Sequence, residues 1–402
     1  MKKMISMLSL AVLFAFPTMT SEASALEKAS NDLSPVSEVS KSEGKASYVE
    51  GEVIVKFKES ASRQNQNKAL QAIGAEVVPD VDPVKSSFKV LKVGNVEAVV
   101  KALNNNPNVE YAEPNYELSA TWTPNDPYFS PDYEYGLFTT YTDQAWDVAR
   151  GDSNQVIAVL DTGVDMKHED LDDKTIPGYN FVRNNNNPTD RNGHGTHVAG
   201  IAAAETNNGV GVAGMAPETS ILAVQVLDNR GSGSLDAVAD GIVYAADYGA
   251  EVINLSLGCD CDTQTLEDAV NYAWEKGSVV VAAAGNDGVS TTFEPASYEN
   301  VIAVGAVDSN NQLASFSNYG TWVDVVAPGV DIASTYLRGG YVYMSGTSMA
   351  SPYVAGLAGL LAGQGLDNAE IRNVIESTAD PINGAGFYYE HGLINSLDAV
   401  NY

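Results

Sequence analysis

The chain has 402 residues, 44% hydrophobic, 18% charged and 8% aromatic, with 35 Gly and 16 Pro. That length accommodates one large domain or two unequal ones, and the spread of apolar residues excludes a collagen-like, coiled-coil or wholly disordered chain. The formal net charge of −30 is segregated: residues 1–121 carry 13 Lys and Arg against 15 Asp and Glu, residues 122–402 carry 9 against 37. So acidic a surface repels phosphate backbones and anionic lipid, and we expect no nucleic-acid or membrane partner. Two Cys are too few for a disulfide-rich scaffold.

Lys2 and Lys3, an apolar run over residues 8–16 and the small residues Ala23-Ser24-Ala25 form the pattern of a secretory signal peptide, residues 1–25, which predicts export to the extracellular space. The run is too short for a membrane span of ~20 residues. No later uncharged stretch reaches that length, so the mature chain is expected to be unanchored. Residues 26–48 are polar and read as linker. Strand patterns at 52–57, 87–93 and 109–112 alternate with helical ones at 65–73, closed by Gly74, and 96–103, stopped before Pro107. They predict a small α+β unit over about 49–116. Composition and charge change near residues 120–122, the expected boundary of a second domain over 122–402.

Beyond residue 155, short Val-rich runs at 156–160, 221–226, 252–255, 279–283, 301–304 and 325–326 suit strands buried on both faces. Helical spacing appears at 235–248, 266–276 and 348–362. The alternation predicts an α/β fold with a mainly parallel central sheet and ligands at the carboxyl ends of its strands.

Three polar positions stand out. Asp161 follows the first Val-rich run and precedes Thr162-Gly163, where it reads either as a turn cap or as a functional acid. His194 lies in Gly193-His194-Gly195-Thr196-His197 at the start of a helical pattern. A structural histidine is one reading; a zinc pair with His197 is disfavoured, because the glutamate of a His-Glu-x-x-His motif is missing and only His168 and His391 remain. Ser348, in Gly346-Thr347-Ser348-Met349-Ala350, could cap its helix. Alternatively, a serine nucleophile needs an imidazole base, and the base needs an acid to hold its other nitrogen; Ser348, His194 and Asp161 supply these roles.

Those three segments, in that order and spacing, resemble the subtilisin-like serine proteases, nearest the thermitase type and its thermostable Bacillus members. The resemblance implies a secreted, self-processed endopeptidase with a three-layer fold. Its leader, residues 26–121, would be a ferredoxin-like propeptide that guides folding of the domain at 122–402 and inhibits it. The mature start would fall near Thr121-Trp122. Asn286 and the Ser348 N–H would form the oxyanion hole. Gly231, Ser232, Gly233, Ser256, Leu257 and Gly258 would bind substrate backbone. Ala283, Ala284 and Gly285 would line a roomy first subsite for a large apolar or aromatic residue.

The resemblance also implies calcium, held by Asp126, Asp170, Asn208 and carbonyls near Glu205, Val210 and Val212. At a second calcium position of the family this chain has Asn180, Arg183, Asn185, Asn187 and Thr189, so that site is expected to be weak or absent unless Asp190 contributes. Glu294-Pro295 aligns with a cis-proline turn of the family. Cys259 and Cys261, one residue apart, are either bridged, as in some thermostable relatives, or free. The family's free cysteine after the catalytic histidine is Val198 here. The expected partners are protein and peptide substrates and the chain's own propeptide, with the mature enzyme a monomer.

Overall fold

The computed structural model describes residues 48–78, 87–116 and 122–402, so the signal-peptide and linker readings and residues 117–121 lie outside it. The chain divides into two compact units, Met1–Leu118 and Ser119–Tyr402.

The first unit runs β1 (Tyr48–Phe57), α1 (Arg63–Ala72), β2 (Glu76–Val77), β3 (Lys89–Lys92), α2 (Val96–Asn104) and β4 (Val109–Tyr116). Its antiparallel sheet has the order β2-β3-β1-β4, the split βαβ of a ferredoxin-like fold. Side-chain caps fix both helix starts: Ser62 accepts from the Asn65 N–H and Asn95 from the Ala98 N–H. Val53, Val55, Leu91, Leu103 and Val109 form its core.

The second unit begins with short helices α3 (Tyr135–Thr139) and α4 (Thr142–Ala145). It continues through β5 (Val156–Asp161), β6 (Thr175–Asn180), α5 (His194–Ala203), β7 (Ser220–Gln225), α6 (Leu235–Tyr248), β8 (Val252–Leu255), α7 (Gln264–Glu275), β9 (Val279–Ala283) and β10 (Val301–Val307). Then come β11 (Val325–Pro328), the hairpin β12 (Ile332–Tyr336) and β13 (Gly340–Met344), α8 (Thr347–Gly363), α9 (Asn368–Ser377), β14 (Gly392–Leu393) and α10 (Ser396–Val400). The eight-stranded sheet has the order β14-β11-β10-β9-β8-β5-β7-β6, with every pair parallel.

β5, β8 and β9 are buried at every residue, because one sheet face packs on α8 and α5 and the other on α6 and α7. Apart from Asn254 and the terminal Asp161, their residues are Val, Ile, Leu and Ala, as that double burial requires. From β5 the chain jumps to the edge strand β6, steps back to β7 beside β5, and then crosses to build β8 to β11 on the other side. The strand order therefore reverses at β5, and a crevice opens over the carboxyl ends of β5, β7 and β8. Among the described residues no helix is long and apolar enough to cross a membrane.

Candidate active site

Asp161 is the last residue of β5 and is fully buried. His194 is the first residue of α5, with its side chain one-fifth exposed. Its Nδ1 lies 2.8 and 2.9 Å from the two Asp161 oxygens. That contact assigns the Nδ1 proton to the aspartate side and leaves Nε2 as the free basic nitrogen. Burial pulls the His194 pKa down; the charge and hydrogen bond of Asp161, then the charge of Asp190, outweigh it, and the net shift is upward. Gly193 caps α5 at φ 108°, a conformation that favours glycine, and a Cβ there would strike the Tyr336 ring.

Ser348 is the second residue of α8 and is half-buried. Its Oγ donates to the Ser256 carbonyl at 3.3 Å, while the Ser256 hydroxyl donates to the Ser348 carbonyl at 2.8 Å. The second bond has a cause in the sequence. In a helix the carbonyl at 348 would accept from the N–H of residue 352, but residue 352 is proline and has none. Ser256, just beyond β8, supplies the missing donor and is held by Asn254, whose own oxygen accepts from Ser351 Oγ at 2.8 Å.

The Asn286 Oδ1 accepts from the Thr347 N–H at 2.8 Å and from Thr347 Oγ1 at 3.0 Å. These bonds fix the amide orientation, and Nδ2 then points away from Thr347. The Ser348 N–H belongs to the first turn of α8 and has no acceptor within the helix.

One residue of this site is not foreseen as such from the sequence. Asp190 is 5% exposed, and its carboxylate accepts from Thr162 Oγ1, the Asn192 and Gly193 amides, and both the amide and hydroxyl of Thr196. Thr162 in turn accepts from the Gly195 N–H at 3.0 Å. Asp190 thus ties the end of β5, which carries Asp161, to the first turn of α5, which carries His194. The partners are spread from 162 to 196, so spacing gives no hint of them.

A cleft of about 700 Å³ borders His194 and is lined by Gly231, Ser232, Gly233, Ser256, Leu257, Gly258, Cys259 and Cys261. Leu235, Val238 and Leu266 give it an apolar side. Ala283 and Ala284 are buried and do not line this cleft. Gly285 lies next to Asn286, beside the Phe293 ring and with its N–H on Thr347 Oγ1. Cys259 and Cys261 have Cα atoms 5.2 Å apart with their sulfurs in contact, and Cys259 pairs through its backbone with Glu294. The Glu294–Pro295 bond is cis. Val198 is buried on α5.

Farther away, Asp126 and Asp170 approach the loop at 205–212. Asp126 accepts from the Asn207 and Asn208 amides, and Asp170 from Asn208 Nδ2 and the Val212 N–H. Val210 donates to the Asn208 oxygen, and Glu205 donates through its N–H to the Asp170 carbonyl. The Glu205 side chain joins Asp172 and Asp173 in an exposed acidic group. At the second position Asn180 binds the Arg183 N–H and the Asn187 carbonyl, Asn185 accepts from the Asn187 N–H, and Thr189 donates to Asn187. The loop satisfies itself, and Asp190 is committed elsewhere.

Residues 152–393 match the Subtilase family of peptidases. The chain belongs to the subtilase family. Residues 34–115 match the fervidolysin N-terminal prodomain. Among curated relatives, a thermophilic serine proteinase of Bacillus sp. (strain AK1) is 66% identical over all of this chain and 99% of its own length. Thermitase of Thermoactinomyces vulgaris is 56% identical over 70% of this chain and 100% of its own length. Among solved structures, a protease of Pseudoalteromonas arctica superposes with a TM-score of 0.62 at 33% identity, covering 70% of this chain and 99% of that one. A cold-adapted subtilisin-like serine proteinase gives 0.58 at 35% identity, covering 62% and 91%. The subtilase is a serine endopeptidase made with a prodomain, and its substrates are proteins.

Proposed function

We propose that the chain is an exported, broad-specificity endopeptidase in which Asp161, His194 and Ser348 form the catalytic triad. The observation that carries this is the double contact of His194 Nδ1 with the Asp161 carboxylate, which leaves Nε2 to act as base. Ser348 Oγ attacks the substrate carbonyl and gives its proton to His194 Nε2. Asp161 holds the ring and stabilises the imidazolium. The oxyanion is received by Asn286 Nδ2 and the Ser348 N–H, in the positive field at the start of α8. The imidazolium then protonates the leaving amine, and water, activated by the same base, hydrolyses the acyl-enzyme. The proton balance closes at His194, which ends each cycle neutral.

In this reading an extended peptide lies between Gly231–Ser232–Gly233 and Ser256–Leu257–Gly258, whose backbone groups serve any sequence. A large apolar residue before the cut bond would sit at the end of β9, where Ala283, Ala284 and Gly285 back the slot without lining the cleft described above. Cys259 and Cys261 form a disulfide on the rim of the cleft, which their sulfur contact supports. The signal at 1–25, cleavage near Thr121-Trp122, inhibition by the leader and a monomeric mature form complete the proposal.

Calcium fits Asp126, Asp170 and Asn208, with the carbonyls of Glu205, Val210 and Val212. Burial chiefly raises both carboxylates, Asp126 adds its charge to Asp170, and Asp170 is pushed up to about 7, its carboxylate held only by the neutral donors of Val212 and Asn208 and by Tyr341. Such a pair is suited to a hard divalent cation, which when bound stabilises the folded state by mass action.

Ser348→Ala with unchanged circular dichroism should abolish casein hydrolysis. Wild-type activity should fall to a serine-directed reagent and resist a zinc chelator. Near-normal turnover by Ser348→Ala, free of contaminating protease, would refute the triad.

A further inference from the structure

Trp122 is seated on the catalytic unit by three contacts. Its backbone N–H donates to Asp147 Oδ1 at 2.7 Å. Its indole meets the Trp146 ring edge to face, with centroids 5.4 Å apart. The Arg150 guanidinium lies over the indole at 4.8 Å. The segment that follows α4 thus provides one aromatic side chain, a guanidinium over the indole face and a carboxylate aimed at one backbone nitrogen.

We propose that Asp147 is the receptor for the N-terminal α-ammonium that processing creates at Trp122. The inference rests on cleavage at Thr121–Trp122. Hydrolysis breaks the bond between the Thr121 carbonyl carbon and the Trp122 nitrogen. Water supplies the hydroxyl that makes the Thr121 carboxylic acid, and its other hydrogen goes to the nitrogen. The acid's proton, passed through solvent, turns the amine into an ammonium, so charge is conserved. A neutral N–H on Asp147 then becomes a charge-assisted bond at the same place.

The surroundings favour a cation there. Asp143, on α4, has its Oδ1 buried without a partner, and the charge of Asp147 adds to the burial that raises its pKa. Arg150 opposes, but it is engaged with the Trp122 ring and lies 3.6 Å from Glu218. Asp147, Asp143, Arg150 and Glu218 are the charged groups of this locus. Processing therefore converts a neutral hydrogen bond of the precursor into a charge-assisted one, in addition to releasing the leader.

The sign follows from linkage. An α-amino group has an ordinary pKa of about 7.7–8.0. Held by Asp147 its folded value is raised, so the stabilisation is fully present below that range and is lost as pH rises through the folded pKa.

The test uses the full chain, allowed to process itself and then blocked at the serine, as wild type and as Asp147→Asn. The same pair is made as unprocessed precursors in the Ser348→Ala background. Mass spectrometry identifies the first residue, and acetic anhydride labelling against pH gives the α-amino pKa. We expect Trp122 as the first residue and a wild-type pKa at least half a unit above that of Asp147→Asn, which is a roughly threefold slower labelling at pH 7. The melting-temperature gap between the mature pair should close between pH 8 and 10, whereas the gap between the precursors should not change with pH. A first residue other than Trp122 overturns the cleavage-site reading and the inference together. Trp122 with an unraised α-amino pKa overturns the inference alone.

Discussion

Ser256 and Ser348 are joined in both directions, each hydroxyl donating to the other residue's carbonyl, at 2.8 and 3.3 Å. The shorter bond replaces the helical donor removed by Pro352, so the Ser348 backbone is anchored to the end of β8 and not only to its own helix. Ser256→Ala leaves the Ser348 carbonyl without that donor, at a cost of about 1–3 kcal/mol for an unsatisfied buried acceptor. Measured kcat should fall several-fold, and Ser256→Thr should restore most of it. An unaltered kcat in Ser256→Ala would remove the anchoring role.

The upward shift of His194 places the acid limb of kcat/KM above the ordinary histidine value of about 6.5. Catalysis needs the neutral ring, so activity is lost as pH falls through that limb. Asp190→Asn removes a negative charge near the ring and presents an amide N–H₂ to donors that need an acceptor. The limb should move to lower pH while kcat at its plateau drops roughly ten- to a hundredfold, about 1.4–2.8 kcal/mol of barrier. A purely structural loss would lower the plateau and leave the limb in place.

Removal of calcium with a chelator should lower the melting temperature of the serine-blocked mature enzyme. At a hundredfold excess over Kd a single site contributes about 2.7 kcal/mol, which is roughly 5–10 °C for a domain of this size. Asp170→Asn should reproduce most of that loss and blunt the chelator's effect. A wild-type melting curve indifferent to calcium would eliminate the site, and tight metal density between Asn180 and Thr189 would contradict the weak second site.

His197 lies on α5 one turn after His194, with Nε2 3.1 Å from the Ile332 and Val342 carbonyls and Nδ1 buried without a partner. Burial, aided by the charge of His194, lowers its pKa to about 4. The unfolded chain takes up this proton near pH 6.5 and the folded chain only near 4, so stability drains away as pH falls across that window. His197→Gln should lose less stability than wild type between pH 6.5 and 4 and keep its proton-transfer chemistry. Parallel acid-unfolding curves would show that His197 does not contribute.

The central strands are legible because they are buried on both faces and leave mostly Val, Ile, Leu and Ala to read; β8, β9 and α6 begin and end where the pattern does. β6 was hidden by Pro177 on an edge strand, and β12–β13 by a hairpin whose residues are only partly buried. α9 did carry a signal, the Asp367…Glu370 capping box, which reading by apolar periodicity passes over. Ser256 could also have been found, since a proline at 352 in a helix leaves the carbonyl at 348 in need of a donor. Asp190 could not, because its partners converge only through the packing of α5 against β5.

In α8 every residue except Ser348 and Gly363 is buried, and the helix packs against the sheet, α5 and α9. Its amides can meet solvent only when the whole domain opens, so their deuterium exchange should be slow and report global unfolding. Ser348 stands at the head of this helix and cannot loosen on its own. Heat should therefore silence the enzyme in one cooperative step, with the residual activity after a thermal pulse falling in proportion to the fraction of molecules whose α8 has exchanged.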